Sequence, residues 1–450
     1  METQSLIRKY NVPAPRYTSY PTVPMWDTEK PDLNTWKKKV AGAFSHSNAK
    51  EGISLYVHLP FCESLCTYCG CNTRITVNHA VEEPYIQTLL KEWKLYSALF
   101  SEKPRLREIH FGGGTPTFFH PDQLKTLLEG LFADAEIPLK HDFGFEAHPN
   151  STSGEHLETL HSLGFNRVSF GVQDFDPFVQ EKIHRIQPFE TVKNGIETAR
   201  KVGYDSVNFD LIYGLPFQSK DSIRLTMKHT DELRPDRIAF YSYAHVPWIK
   251  PGQRKFTEKD LPAGDEKRAL YEMGREELEK MGYVEIGMDH FALKSDSLYH
   301  AFQNRSLHRN FMGYTPMKTD LLLGLGTSSI SDSWTAFAQN RKTVEEYTAS
   351  VEAGELPIFK GHILSETDQL IRSKILDLMC RMRTSLNDFP GIESVMERLG
   401  PILKDGLVEY ENELLIVTEK GRPFLRNICM TLDLRLWEKE PGAKVFSMAV

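Results

Sequence analysis

Tyr56–Thr73 reads YVHLPFCESLCTYCGCNT, and the rest of the chain is organised around it. Four of the chain's 6 cysteines, Cys62, Cys66, Cys69 and Cys71, lie in this one stretch, spaced C-x3-C-x2-C-x-C. A hydrophobic run leads in, and small polar residues lead out. Thiolates are soft ligands, so so dense a loop points to zinc, an iron–sulfur cluster or a redox pair. A structural zinc site normally joins two knuckles across a longer insert, and no second CxxC or HxxxH follows downstream. Three close cysteines can instead hold three irons of a cubane and leave the fourth open to a ligand, as catalytic metal centres keep an open position. The cluster is the favoured reading.

Composition sets the outer bounds. A chain of 450 residues, 40% hydrophobic and 26% charged, has an ordinary globular balance and room for two or more domains. A formal net charge of −7 argues against a general nucleic-acid or anionic-membrane binder. No apolar run is long enough for a transmembrane helix, and METQSLIRKYNVPAPRYTSY has no signal-peptide h-region. The cysteines do not form a disulfide framework, so a reducing, cytoplasmic setting is expected. Cys380 and Cys429 stand alone in apolar surroundings and read as small buried hydrophobes.

Outward from the cysteine loop, strand-like and helix-like segments alternate. Strands are expected at 54–59, 107–113, 142–149, 167–173, 206–214 and 237–243. Helices are expected at Glu83–Phe100, Pro121–Phe132, Gly154–Leu163, Phe189–Val202 and Ser219–Leu233. Six βα units predict a parallel sheet with helices outside it, a partial (β/α)6 barrel rather than a closed eightfold one. The reading continues with a helix at Gly264–Met281, one strand over 283–292 and a long polar loop from Lys294 to Thr319. Residues 1–35 are proline-rich and read as an extended arm or lid, 36–357 as the barrel domain, and 358–450 as a mainly helical, winged-helix-like domain. That last domain lacks a Lys/Arg run, so it is expected to pack or to cover substrate rather than bind DNA. The arm is expected to order only over the barrel mouth and to be dispensable for the barrel and its cluster.

Ligands gather at the carboxyl ends of parallel strands, and the polar residues fall there. GGGTPT (Gly112–Thr117) ends the second strand, Glu146 the third, Gln173 and Asp174 the fourth, and Tyr243 and Ala244 the sixth. Arg185 sits in a polar turn. Asp210 lies inside the apolar strand VNFDLIYG and needs a partner or a ligand. His58 and His290 read as packed, hydrogen-bonded histidines.

CxxxCxxC after a strand resembles the signature of the radical S-adenosylmethionine enzymes. PRYTSYPT (Pro15–Thr22), CGCNT (Cys69–Thr73), GGGTPT, FGVQDF (Phe170–Phe175) and LGLGTSSIS (Leu323–Ser331) narrow it. Together they resemble the oxygen-independent coproporphyrinogen III oxidase (coproporphyrinogen dehydrogenase) family, from about residue 10 to VTEKGRPFLRNIC (Val417–Cys429). The resemblance implies a 4Fe–4S cluster on Cys62, Cys66 and Cys69, with S-adenosyl-L-methionine on its open iron. Tyr56, Gly113, Glu146 and Ile330 match positions that hold that cofactor. Tyr68, Gly114, Thr115, Gln173, Arg185, Asp210 and Ala244 match positions linked to a second cofactor molecule. Cys71 and Tyr56 are implied to take part in catalysis, Cys71 without ligating the cluster.

The implied reaction is anaerobic. A 5′-deoxyadenosyl radical takes a hydrogen from the β-carbon of a propionate, and loss of carbon dioxide and an electron leaves a vinyl group. Two such steps turn coproporphyrinogen III into protoporphyrinogen IX in haem biosynthesis. Arg16, Arg309 and Arg185 are candidates to meet the substrate's carboxylates, and the sequence does not choose among them. The implied partners are coproporphyrinogen III and an electron-donor protein such as flavodoxin or ferredoxin, acting on a monomer. The alternatives of the same fold are a haem-binding chaperone and another haem-modifying radical enzyme. Both usually lack the YTSYPT arm, and the chaperone also lacks the cysteine at position 71.

Overall fold

In the computed structural model, which describes residues 2–27, 31–262, 264–438 and 446–449, the six expected runs form parallel strands. They are β1 (Ile53–Leu59), β2 (Leu106–Gly113), β3 (Asp142–Ala147), β4 (Arg167–Gln173), β5 (Ser206–Tyr213) and β6 (Arg237–Ser242). Each pairs in parallel with the next. β1 is buried along almost its whole length, as expected for a strand covered on both faces. A seventh strand, β7 (Leu322–Leu325), pairs in parallel with β1 on its other side. Ile330–Asp332, Ala336–Asn340 and Ile358–Ile363 extend that edge antiparallel, and a hairpin of Val284–Gly287 and His290–Ala292 extends the other. The 12 strands form one sheet whose two end strands do not pair with each other, so the barrel is partial and open.

The helices cover this sheet because their apolar residues recur at helical spacing. Glu82–Ser97 turns Tyr85, Ile86, Leu89, Trp93 and Tyr96 inward. Ser153 and Ser219 cap the starts of Gly154–Ser162 and Lys220–Leu233, each satisfying orphan backbone N–H groups. One buried charge on the first of these helices has a structural task. Glu92 accepts from the Gly326 N–H at 2.8 Å, from Tyr347 Oη at 2.6 Å and from Asn340 Nδ2 at 2.6 Å. Burial pushes its carboxyl up to about 7. The three donors fix the GTSS turn that leads from β7 to Ile330.

Two segments differ from the sequence reading. The run 283–292 is a hairpin, not one strand, because Met288 and Asp289 both turn through positive φ. The polar stretch 294–319 carries a helix, Ser297–Gln303, capped by Asp296, and a hairpin of His308–Asn310 with Gly313–Thr315.

The expected C-terminal domain starts at Ile358, and Ile358–Ile363 is the last strand of the large sheet. Beyond it, helices Glu366–Arg381 and Ile392–Lys404 alternate with a three-stranded sheet of Arg383–Ser385, Val408–Glu411 and Leu414–Val417. Residues 439–445 and 450 of that expected domain, 263 of the barrel domain, and 1 and 28–30 of the arm lie outside the described residues.

The arm is not extended throughout. It opens with a helix, Glu2–Tyr10, and shares a hydrophobic core with the C-terminal elements. Leu6, Ile7, Tyr10, Tyr17 and Tyr20 are buried there among Ile375, Leu378, Ile428 and Leu432. Arg426 ties the strap down by donating to the carbonyls of Ala14, Pro15 (3.0 Å) and Met448 (2.6 Å). At its inner end Arg16 pairs with Asp289 at 2.5 Å and lies 5.7 Å from the centre of the Tyr241 ring. The arm therefore joins the C-terminal elements to the sheet's edge, and its order comes from buried surface on both. Among the described residues no helix is long and apolar enough to cross a membrane.

Candidate active site

The carboxyl ends of β1 to β6 open into one cavity of about 520 Å³. Cys62, Cys66, Cys69 and Cys71 line one side of it. Gly113, Gly114, Thr115, Glu146, Gln173, Arg185, Asp210 and Ala244 come in from successive strands and loops, and Tyr68 sits on the cysteine loop itself. These are 13 of the residues named from the sequence. The other two, Tyr56 and Ile330, adjoin the cavity without lining it. Tyr56 sits on β1 with its ring stacked on His110. Its register partner on β7 is Gly324, where a Cβ would meet the Ile330 carbonyl at 2.6 Å. Tyr56 and Ile330 are thus one strand apart.

The cysteine loop is held from several directions. His58 takes a hydrogen bond from Tyr56 Oη at Nδ1 (3.1 Å) and donates from Nε2 to the Asn72 carbonyl (2.8 Å). The histidine thereby pins the loop's return end. Lys250 Nζ donates to the Cys71 carbonyl at 2.8 Å, and the Thr67 N–H donates to the Ile183 carbonyl at 3.0 Å. Gln253 Nε2 donates to the Tyr68 carbonyl at 2.8 Å and to that of Ala244 at 3.3 Å. The Gln253 amide is the clamp between the loop and the end of β6, and no sequence signal distinguishes it.

The sulfurs sit in unlike surroundings. Cys62 Sγ lies 3.3 Å from Thr115 Oγ1, and burial pushes its thiol up to about 11. Arg185 Nη1 reaches Cys66 Sγ at 3.5 Å. The Cys71 N–H points at Cys69 Sγ at 3.4 Å, and the hydrogen bonds from Cys71 draw the Cys69 thiol down. Cys71 is driven the opposite way, first by that same bond to Cys69 and then by burial. The contact between the two thus lowers Cys69 and raises Cys71. Among the described residues no three His, Cys, Asp or Glu side chains are gathered tightly enough for a single metal ion. Thiols set apart around a cavity suit a cubane, in which each thiolate takes a different iron. We expect Cys71→Ser to keep the full iron content and cluster absorbance of the reconstituted protein while losing product formation. Iron loss equal to that of a Cys69 variant would make Cys71 a ligand.

The glycine run after β2 is shaped by close approach. Gly113 has φ +119°, and a Cβ there would meet the His58 ring at 2.8 Å. At Gly114 a Cβ would meet the Pro60 carbonyl at 2.5 Å. The Gly113 N–H donates to Glu146 Oε2 at 3.3 Å. Glu146 keeps 43% of its side chain open, a carboxylate available to a ligand. Among the described residues Asp210 accepts only from Ser169 Oγ, at 3.2 Å, and burial followed by the nearby Glu146 pushes it up to about 7. Arg185 is braced by the Gly171 carbonyl (2.6 Å) and Gln187 Oε1 (3.2 Å). Asp174, by contrast, turns into the core to accept from Gln218 Nε2 (2.6 Å) and Thr226 Oγ1 (3.1 Å). Its task is to hold the end of β4.

The arrangement combines a thiol triplet, a glycine cradle and strand-end carboxylates within an open parallel barrel. The Radical SAM superfamily family model matches residues 56–230, which run from Tyr56 through β5 and into the helix after it. Proteins of this class carry a 4Fe–4S cluster and bind S-adenosyl-L-methionine, and the residues lining the cavity fit both. Over the whole chain the similarity is narrower. The oxygen-independent coproporphyrinogen III oxidase of Helicobacter pylori J99 is 38% identical, with 98% of this chain and 97% of the relative covered. That of Escherichia coli K12 is 36% identical, with 97% and 96% covered. The solved coproporphyrinogen III oxidase of Escherichia coli, described as a radical SAM enzyme, superposes with a TM-score of 0.88 at 35% identity. That superposition covers 95% of this chain and 98% of the solved one. The chain belongs to the oxygen-independent coproporphyrinogen III oxidase family.

Proposed function

We propose that the protein carries out the anaerobic oxidative decarboxylation of two propionates of coproporphyrinogen III to vinyl groups, giving protoporphyrinogen IX in haem biosynthesis. One observation carries this reading: Cys62, Cys66 and Cys69 face the glycine cradle and the strand-end carboxylates across a single cavity, in a chain similar end to end to these oxidases. When bound there, the cluster and S-adenosyl-L-methionine would supply a 5′-deoxyadenosyl radical able to take a β-hydrogen from the propionate.

The chain's residues divide the remaining work. Cys62, Cys66 and Cys69 hold the cluster. Gly113 and Glu146 receive the amino and hydroxyl groups of the first cofactor molecule, with Tyr56 and Ile330 walling that end. Tyr68, Gly114, Thr115, Gln173, Arg185, Asp210 and Ala244 receive the second molecule. Cys71, beside Cys69, serves the reaction without binding iron.

An electron-donor protein such as flavodoxin or ferredoxin delivers the electron where the cysteine loop reaches the surface, at the exposed Leu65. The thiol triplet requires a reducing compartment, the cytoplasm, where the protein acts as a monomer. We divide the chain into arm, barrel and C-terminal domain as expected from the sequence. Anaerobic incubation with coproporphyrinogen III, S-adenosyl-L-methionine and a reductant tests the reading: after oxidation of the products, mass and fluorescence give protoporphyrin IX. Unchanged coproporphyrin would sink it.

Asp210 adds a pH signature. Burial and the nearby Glu146 push its carboxyl up to about 7. A cationic cofactor beside it favours the ionised form, so binding releases a proton and affinity rises as pH climbs toward 7, then levels off. Calorimetric titration of S-adenosyl-L-methionine between about pH 6 and pH 8 should show up to tenfold tighter binding per unit on the acid side. Asp210→Asn should flatten that profile. A wild-type profile already flat would remove Asp210 from the site.

A further inference from the structure

A second polar centre lies behind Tyr241, which lines the cavity. Tyr241 Oη meets His290 Nε2 at 3.3 Å, and the His290 ring packs edge-on against Tyr314 at 5.2 Å. Arg309 lies over the Tyr314 ring at 4.5 Å. Arg309 Nη2 reaches the Arg16 carbonyl at 3.3 Å, while the Arg16 side chain lies beside Tyr241.

Arg309 is only 3% exposed, and its Nε and Nη1 have no hydrogen-bond partner. Among the described residues no carboxylate pairs with it. A guanidinium keeps its proton at any working pH, so it cannot escape burial by neutralising. The Tyr314 ring covers its face and leaves those edge donors unmet. Its neighbours do not supply the missing charge. Asp289 is engaged by Arg16 at 2.5 Å. His290 is neutral, pushed down to about 4 by burial and then by Arg309 itself. Arg309 thus has no carboxylate of its own among the described residues, and an anion is what it lacks. A third of the Arg16 side chain remains open, 34%.

We infer that Arg309, with Arg16 beside it, seats a carboxylate of the substrate that is not the one being lost. The inference rests on the reading of the chain as a coproporphyrinogen III oxidase and names the residue that holds that substrate. An ion pair stabilises a carboxylate against loss of carbon dioxide, so a guanidinium suits a spectator propionate and would hinder a reacting one. The ligand class is a tetrapyrrole propionate, held behind Tyr241, which lines the cavity.

The test uses cluster-loaded protein and two stable probes under anaerobic conditions, coproporphyrin III and its tetramethyl ester, read by porphyrin fluorescence. Arg309→Gln should bind the acid between about ten- and a hundredfold more weakly, the range for losing one charge-assisted hydrogen bond. Ester binding should not change, and Arg309→Lys should recover part of the loss. Unchanged affinity for the acid, or equal losses for acid and ester, would overturn the inference and leave ordered water as the partner of Arg309. Should the melting curve show that Arg309→Gln does not fold, Arg16→Gln carries the same comparison with the same outcomes. A wild-type protein that neither binds coproporphyrin nor converts coproporphyrinogen would instead sink the functional reading itself.

Discussion

Cys62→Ser, Cys66→Ser and Cys69→Ser are each expected to abolish the cluster's absorbance, with complete loss of S-adenosyl-L-methionine cleavage. Serine oxygen is a hard ligand that stays protonated near neutral pH, so it cannot replace a soft thiolate on iron. The three positions differ in what else fails. Arg185 loses its sulfur contact only in the Cys66 variant. The Cys71 N–H loses its acceptor only in the Cys69 variant. Iron and sulfide analysis after anaerobic reconstitution reads the first effect, and 5′-deoxyadenosine reads the second. Any single variant that keeps full iron and cleaves normally removes that residue from the ligand set.

Truncation of residues 2–22 is expected to unfold the C-terminal elements, not merely to open the site. Tyr10, Tyr17 and Tyr20 are among the large side chains of that core, and Tyr17 Oη donates to the buried Asp433 at 3.0 Å. Removing a large buried aromatic costs about 3–5 kcal/mol. Three exceed much of the roughly 5–15 kcal/mol that holds a domain together. Arg426 would also lose its acceptors at Ala14 and Pro15, leaving a buried cation poorly partnered. The melting temperature of the truncated protein should fall by roughly 10 °C or more. An unchanged melting curve would restore the arm to the role of a dispensable lid, as the sequence suggested.

The arm shows where sequence patterning stops. Its proline spacing reads as extended, yet Leu6, Ile7 and Tyr10 share one face of a short helix whose partners, such as Ile428 and Leu432, lie more than 400 residues away. No local signal carries that packing. The 283–292 run fails differently. Its turn uses Met288 and Asp289 in place of glycine or asparagine, so an alternating pattern hides a hairpin. The six βα units were legible because each strand carries at least one apolar face, as Val168, Phe170 and Val172 do in β4 and Val207, Phe209 and Leu211 in β5, and each helix carries an inward stripe. The site was legible for a related reason: a parallel sheet sends its strand ends to one side, so polar residues at those ends meet. What the sequence could not rank were residues whose role depends on what they lack. Arg309 stays level with Arg16 and Arg185 as a candidate for the substrate's carboxylates until its burial and its unmet donors are seen. Glu92 likewise acts through the backbone N–H of Gly326, far along the chain, and His58 through the Asn72 carbonyl at the far end of the cysteine loop.

The central claim is that this cavity directs a radical to the β-carbon of a substrate propionate. Coproporphyrinogen III deuterated at those carbons, incubated anaerobically with the cluster-loaded protein, S-adenosyl-L-methionine and a reductant, tests it most directly through the mass of the 5′-deoxyadenosine formed. Deuterium carried into 5′-deoxyadenosine alongside vinyl product is the predicted result. Vinyl product accompanied by unlabelled 5′-deoxyadenosine would contradict the account.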